Sequence, residues 1–123
     1  MQPASVVVYQ SDPRIAQALS SSLSQHFHSV RVARSADELR PTIARHRAEV
    51  LIVDIEPSSL TEVENLHREF PGVSIVCTHR LADEEMWAAA LGAGADDVLP
   101  SSDTTGILHS ALRSARTAHS AVA

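Results

Sequence analysis

The sequence predicts a single α/β domain whose parallel sheet is covered by helices on both faces. The chain has 123 residues, a size at which one domain with one core is expected. Short runs of β-branched residues alternate along the whole chain with segments of helical periodicity, in the order βαβαβαβαβα. Strict alternation of this kind is typical of parallel sheets. Because only 3% of the residues are aromatic, the core must be built from aliphatic side chains.

Five apolar runs are predicted as strands. Four of them are almost continuously apolar and rich in β-branched residues, as strands buried on both faces are. The second run along the chain alternates polar and apolar residues, which is typical of an edge strand. In chain order the runs cover residues 6–9, 29–33, 50–53, 73–77 and 97–99.

Capping residues mark the starts of the first two predicted helices. The first begins at Asp12, an N-cap residue, with Pro13 in the first helical position. The second begins at Ser35, and Glu38 three residues later completes a capping box.

Glycine and proline bound the remaining helices. The third carries its apolar stripe over residues 60–70 and ends before Pro71. The fourth begins at Ala82 or Asp83 and ends at Gly92, and the fifth holds apolar residues from 107 to 115. We expect a frayed tail over residues 117–123, so that the single domain of 1–123 has its core at about 5–116.

The composition excludes several classes of protein. A formal net charge of −5 argues against a surface that binds nucleic acid directly. The single cysteine, Cys77, excludes an intramolecular disulfide and a cysteine-rich zinc site, and its apolar surroundings predict a buried thiol. No apolar stretch approaches the roughly 20 residues of a membrane span, and no signal peptide precedes the first strand. We therefore expect a cytoplasmic protein without a membrane partner.

The loops that follow the strands are the predicted site, because ligands bind beyond the carboxyl ends of the strands in open parallel sheets. Asp54 directly follows the buried third strand. A carboxylate in that position costs desolvation energy unless it is bound, paired or reacting. Asp54 is therefore either a local cap, a metal ligand or an acceptor of a phosphoryl group.

Four segments in order resemble the receiver domains of two-component response regulators, over about residues 5–116. The segments are Val6-Val7-Val8-Tyr9 followed by Asp12-Pro13, Leu51-Ile52-Val53-Asp54 followed by Pro57, Ser74-Ile75-Val76-Cys77-Thr78, and, the most specific, Ala90-Leu91-Gly92-Ala93-Gly94-Ala95-Asp96-Asp97-Val98-Leu99. The resemblance implies a flavodoxin-like (CheY-like) doubly wound sheet with strand order 2-1-3-4-5. It also implies a place in a phosphorelay.

The chemistry that the resemblance implies centres on an aspartate after the third strand, which accepts a phosphoryl group from a histidine kinase. An acidic pair after the first strand helps to hold Mg²⁺, which offsets the charge of the phosphate. A hydroxyl after the fourth strand and a lysine after the fifth contact the phosphate, and an aromatic residue on the fifth strand changes its packing.

In this sequence Asp54 matches the phosphoacceptor and Thr78 matches the hydroxyl residue. The acidic pair falls on Gln10 and Ser11, so both of its carboxylates are replaced. Asp12 matches the residue after the pair, and we interpret it as the helix N-cap rather than as a compensating metal ligand.

The other family positions also differ. The lysine falls on Ser101, or on Pro100 if the loop shifts by one residue, and all ten basic residues of the chain are arginine. The switch aromatic falls on Val98. Pro57 follows Asp54 by three residues where the family usually has four, so the loop after the third strand is predicted to be shortened.

These replacements predict weak or absent phosphorylation. With Asp54 as the only carboxylate, we expect either no cofactor or a weakly bound Mg²⁺ at Asp54. Each lost hydrogen bond to a charged phosphate is worth about 1.5–3 kcal/mol. His79 and Arg80 follow Thr78, and they are either solvated loop residues or, in the sharper hypothesis, Arg80 pairs with Asp54 and mimics an occupied site.

Trp87, the single tryptophan, lies on the predicted fourth helix. It either packs in the core or anchors an interface, since the fourth and fifth helices form the usual partner face of receivers. His26 and His28 are interpreted as surface residues rather than a metal pair.

We therefore predict an atypical receiver domain that is a protein-interaction module and not an enzyme. The residues after 117 are too few for an output domain, so the chain acts through partners or is part of a longer protein. The expected partners are a histidine kinase, an output domain or a second copy bound through the fourth and fifth helices. The alternatives are a functional receiver phosphorylated on Asp54 and, in a different class, a small α/β enzyme or ligand-binding domain.

Overall fold

The computed structural model describes residues 2–56 and 59–122, with side chains described between residues 3 and 115 of those ranges. Strands and helices alternate throughout, as the sequence predicts. The elements are β1 (Gln2–Tyr9), α1 (Pro13–Ser24), β2 (Phe27–Ala33), α2 (Ala36–His46), β3 (Val50–Asp54), α3 (Leu60–Glu69), β4 (Ser74–His79), α4 (Glu84–Gly92), β5 (Asp97–Pro100) and α5 (Thr104–Val122). Pro57, and with it the predicted shortening of its loop, lies outside the described residues.

The five strands form one parallel sheet in the order β2-β1-β3-β4-β5. This order confirms the predicted doubly wound topology, and it confirms β2 as an edge strand. The chain leaves β1 toward β2 on one side and later returns to β3 on the other. The carboxyl ends of β1 and β3 therefore flank the point where the winding reverses, which is where such sheets bind ligands.

The sheet separates two aliphatic cores. One face packs against α2, α3 and α4, and the other packs against α1 and α5. Successive side chains of β3 point to opposite faces of the sheet. Leu51 and Val53 therefore lie in the first core, and Val50 and Ile52 lie in the second. Phe27 is the single aromatic side chain among the largest fully buried ones. The prediction of an aliphatic core is confirmed.

Several element bounds differ from the prediction. β1 begins at Gln2, four residues earlier than predicted. β2 begins at Phe27, two residues earlier than predicted, because the Phe27 side chain is 1% exposed and belongs to the core. β4 runs on to His79. α5 is helical to Val122, through the tail that we expected to fray, in a segment where alanine favours the helix.

The predicted helix caps are confirmed. Asp12 is the N-cap of α1, and its carboxylate accepts the N–H of Arg14 at 2.9 Å. Ser35 caps α2 by accepting the N–H of Glu38, whose carboxylate in turn accepts the N–H of Arg34. Asp12 therefore has the structural role that the sequence assigned to it.

Cys77 lies fully buried on β4. Burial, with a smaller contribution from the charge of Asp96, raises the pKa of its thiol to about 12. The predicted buried thiol is confirmed, and a thiol in such an environment is unreactive. Within the part of the chain that the structure describes, no helix is both long and apolar enough to cross a membrane.

Candidate functional site

Three neighbouring strands bring the predicted site residues to one edge of the sheet. Tyr9 pairs with Val53, and Asp54 pairs with Thr78, so the residues that end β1, β3 and β4 lie side by side. Gln10, Asp54 and Thr78 are all buried there. The sequence placed these residues in one crevice, and the structure brings them together.

Asp54 is 1% exposed, and its carboxylate is held by neutral donors. Oδ2 accepts the hydroxyl of Ser11 at 2.5 Å and the N–H of Ser11 at 3.2 Å. Oδ1 accepts the N–H of Glu56 at 3.0 Å. Asp54 thus compensates its burial with hydrogen bonds and without a cation in direct contact.

Thr78 and Gln10 form a second buried contact across the crevice. The side-chain amide Nε2 of Gln10 donates to the Thr78 hydroxyl oxygen at 3.0 Å. Thr78 is 0% exposed and Gln10 is 8% exposed, so this hydrogen bond is shielded from solvent. The hydroxyl that the resemblance assigns to phosphate binding therefore already has a protein partner.

The positions on and after β5 carry small side chains. Ser101, at the position of the family's lysine, is 4% exposed, and its hydroxyl has no hydrogen-bond partner among the residues that the structure describes. Its N–H donates to the carbonyl of His79 at 3.2 Å. Val98, at the position of the switch aromatic, is buried in the core on the side of α4. Pro100 ends the strand and is exposed.

Arg80 pairs with Glu56 on the outer rim of the crevice. Its guanidinium Nε lies 2.7 Å from a carboxylate oxygen of Glu56, and its N–H donates to the same oxygen at 3.2 Å. The imidazole Nε2 of His79 is 3.8 Å from that oxygen. The hydrogen bond from Arg80 lowers the pKa of Glu56 below its ordinary value.

Arg80 therefore makes its direct ion pair with Glu56, and the charge of Asp54 acts on it only through space, raising the pKa of Arg80 less than Glu56 does. Glu56 lies two residues after Asp54, and Arg80 lies two residues after the paired Thr78. The exposed side chains meet at the surface, while Asp54 is buried and held by Ser11. The sequence contained a signal for this pair, because the register that aligns Asp54 with Thr78 also aligns the segments that follow them.

Trp87 is exposed on α4, with 48% of its surface accessible. Leu81, in the turn before α4, is 74% exposed. Of the two interpretations for Trp87, the structure favours a surface position over a place in the core.

The donor set does not fit a well-held Mg²⁺. Asp54 supplies one carboxylate, its oxygens accept three hydrogen bonds, and the neighbouring family ligands are replaced by Gln10 and Ser11. Between residues 2–56 and 59–122, no three His, Cys, Asp or Glu side chains are grouped as a metal site. His26 and His28 are both exposed.

No family model matches the sequence, and no curated protein matches it. Solved structures do match the fold. The chain is similar to the N-terminal signal receiver domain of a two-component system response regulator from Bacteroides fragilis, at 19% identity and a TM-score of 0.83, over 92% of this chain and 97% of that chain. It is similar to a response regulator from Thermotoga maritima, at 19% identity and a TM-score of 0.83, over 93% of this chain and 98% of that chain.

The RcsB response regulator of Salmonella typhimurium also matches, at 20% identity and a TM-score of 0.82, over 95% of this chain and 61% of that chain. At these identities the likeness establishes the fold: the chain has the fold of response regulator receiver domains. What the crevice does in this chain depends on its own residues.

Proposed function

We propose that the chain is an atypical receiver domain, a non-enzymatic protein-interaction module in signal transduction that is phosphorylated weakly or not at all at Asp54. The observation that supports this most directly is the pair of hydrogen bonds across the crevice. Ser11 donates to Asp54, and Gln10 donates to Thr78, so neutral side chains fill the positions from which the family's ion and phosphate are held.

A phosphoryl group on Asp54 would require this arrangement to be dismantled. The oxygen Oδ2 would lose the Ser11 hydroxyl, or Oδ1 the Glu56 N–H. The added group brings further negative charge into a site that is 1% exposed. No lysine follows β5 to compensate it, since Ser101 supplies a hydroxyl. A buried charge without a partner is strongly destabilising, so the unmodified state is favoured.

Partner binding is proposed through α4 and α5. Trp87 and Leu81 expose apolar surface beside the acidic start of α4, and a large aromatic side chain of this kind is a common interface anchor. A histidine kinase, an output domain and a second copy of the chain are the proposed partners at this surface.

One observation favours the alternative of a functional phosphoacceptor. Asp54 retains the carboxylate at the end of β3, in register with the hydroxyl of Thr78. The carboxylate that the resemblance requires to accept a phosphoryl group and the hydroxyl that it requires to contact the phosphate are therefore both present. Each of them already makes hydrogen bonds within the protein.

Amide NMR spectra with Mg²⁺ and beryllofluoride, a phosphoryl mimic, test the proposal. The account predicts that the amides of Asp54, Thr78 and Val98 keep their chemical shifts throughout the titration. Concerted shifts at these residues that disappear in Asp54→Asn would contradict it and establish the functional phosphoacceptor instead.

A matched variant shows whether the replaced side chains are the cause of the weak or absent phosphorylation that we propose. Gln10→Asp, Ser11→Asp and Ser101→Lys together restore the acidic pair and the cation at the positions that the resemblance defines. This variant is expected to respond to beryllofluoride. If it folds, binds Mg²⁺ and still gives no response, the three substitutions do not explain the behaviour of the wild type.

A further inference from the structure

Strand β2 forms an unpartnered edge of the sheet. It pairs with β1 along one side, and it is the terminal strand in the order β2-β1-β3-β4-β5. With seven residues it is longer than β5, the strand at the other edge, which has four. A long edge strand presents a row of backbone N–H and C=O groups to which another extended segment can pair.

The side chains at this edge are basic in a chain that is otherwise acidic. Strand β2 (Phe27–Ala33) contains no carboxylate, whereas the whole chain has a formal net charge of −5. His28 and Arg31 are exposed on β2, and Arg34 is exposed directly after it. The edge therefore carries a positive charge that complements an acidic partner.

A groove with both polar and apolar lining lies beside the carboxyl end of β2, between this strand and α1. Its volume is about 520 Å³, and Val32 and Ala33 form part of its wall. The polar side chains that line it are Gln10, Ser11, Gln17, Ser20, Ser21 and Arg34. The Ser11 hydroxyl already donates to Asp54, and the Gln10 amide already donates to Thr78. The donors that remain for a ligand are on Gln17, Ser20, Ser21 and Arg34, and none of the lining residues is a carboxylate. The groove therefore suits an acidic side chain.

From these observations we propose that the edge of β2 is a docking site for an extended acidic segment of a partner protein, which pairs with β2 as a sixth strand. In this mode of recognition, main-chain hydrogen bonds provide affinity and pockets for alternate side chains provide specificity. An aspartate or glutamate of the segment enters the groove beside Arg34, and a second carboxylate two or more residues away on the same face lies near His28.

A second copy of this chain does not fit as the occupant. A two-fold pairing of β2 with β2 would bring two basic strands together, and like charges directly opposite each other destabilise a strand pair. The acidic cluster at the start of α4 is helical, so it does not present an extended segment. The partner is therefore another protein whose docking segment is acidic and free to become extended.

This inference rests on the proposed function, because it gives the interaction module a surface and a partner chemistry. The two can fail separately. The beryllofluoride titration reports on Asp54, whereas binding at β2 is read from amides of residues 28–34.

The experiment titrates the full chain with a seven-residue peptide of alternating glutamate and valine, followed by amide NMR. We expect saturable shifts concentrated in β2 and in Ser11, and a binding constant that weakens as salt rises. A peptide of alternating lysine and valine is expected not to bind. Equal binding of the two peptides, or no binding of the acidic one, would overturn the proposal.

Two controls separate strand pairing from simple charge attraction. An acidic peptide with N-methyl groups on alternate residues keeps its charge but cannot donate along one edge, and it is expected to bind at least tenfold more weakly. Binding that is unaffected by methylation would exclude the added strand.

Arg34→Glu is expected to abolish binding of the acidic peptide, while Arg68→Glu, the same charge change on α3, leaves binding nearly unchanged. Equal losses in the two variants would show a non-specific charge effect. Sedimentation of the chain alone should show no association through β2; association that Arg34→Glu abolishes would identify a second copy as the occupant and contradict the proposal.

Discussion

The crevice at the ends of β1, β3 and β4 has an inner part and an outer rim, and the two are built differently. In the inner part, the buried carboxylate of Asp54 is held by the Ser11 hydroxyl and by backbone N–H groups, and Gln10 bonds to Thr78. On the rim, Glu56 and Arg80 form an ion pair in which the Arg80 side chain is 80% exposed. Positive charge is found at the rim and not in direct contact with Asp54.

The difference shows how burial decides how much a polar contact contributes to the free energy of folding. A hydrogen bond to a buried charge has no solvent to replace it when it is removed, whereas an exposed ion pair competes with water and is screened by salt. The inner part should therefore determine the stability of the site. The rim should affect local titration and little else.

Ser11→Ala is expected to have the largest effect. It removes the hydroxyl that donates to Asp54 at 2.5 Å, and a hydrogen bond to a charged group contributes about 1.5–3 kcal/mol. The free energy of unfolding, measured with urea at pH 7, should fall by this amount. Ser11→Thr, which keeps a hydroxyl, is the matched control and should retain most of the stability. An unchanged stability in Ser11→Ala would show that the backbone donors suffice.

Thr78→Val is expected to cost slightly less. The valine leaves the buried amide of Gln10 without an acceptor, and such an unsatisfied group costs about 1–3 kcal/mol. Adding Gln10→Leu removes the other partner as well, and the double variant should recover part of the loss. If the two substitutions prove additive in urea unfolding, the contact between Gln10 and Thr78 makes no specific contribution.

Arg80→Ala is expected to have the smallest effect. The pKa of Glu56 should rise toward its ordinary value, because the hydrogen bond from Arg80 that lowers it is gone. A carboxyl with a lowered pKa favours folding at neutral pH, and this contribution disappears as the pH falls through its titration. Carboxyl NMR titration measures the shift, and the free energy of unfolding at pH 7 should fall only slightly, because an exposed ion pair contributes little to stability. A large loss of stability would mean that the rim and the inner part act as one unit.

The fold could be predicted from the sequence because its signals are local and repeated. The β-branched runs, the caps at Asp12 and Ser35 and the alternation of strands and helices all point to one topology. The meeting of Gln10, Asp54 and Thr78 follows from the same reasoning, since parallel strands end at a common edge.

The pairing of individual side chains could not be predicted in the same way. The bond between Gln10 and Thr78 joins residues 68 positions apart, and its existence depends on side-chain rotamers that no periodicity encodes. Pairing of Arg80 with Asp54 is one of the two interpretations that the sequence leaves open, and it considers charge alone. Burial decides otherwise, since the exposed Glu56 is within reach of Arg80 and the buried Asp54 is already satisfied.

The central claim is that neutral side chains fill the positions of the family's ion and phosphate contacts. Its most direct test is the intact mass of the wild-type chain after incubation with acetyl phosphate and Mg²⁺, with the variant Gln10→Asp, Ser11→Asp, Ser101→Lys run in parallel. We expect little or no phosphate adduct on the wild type and a much larger adduct on the variant. A Mg²⁺-dependent adduct on the wild type that equals the variant's and that Asp54→Asn abolishes would contradict this claim.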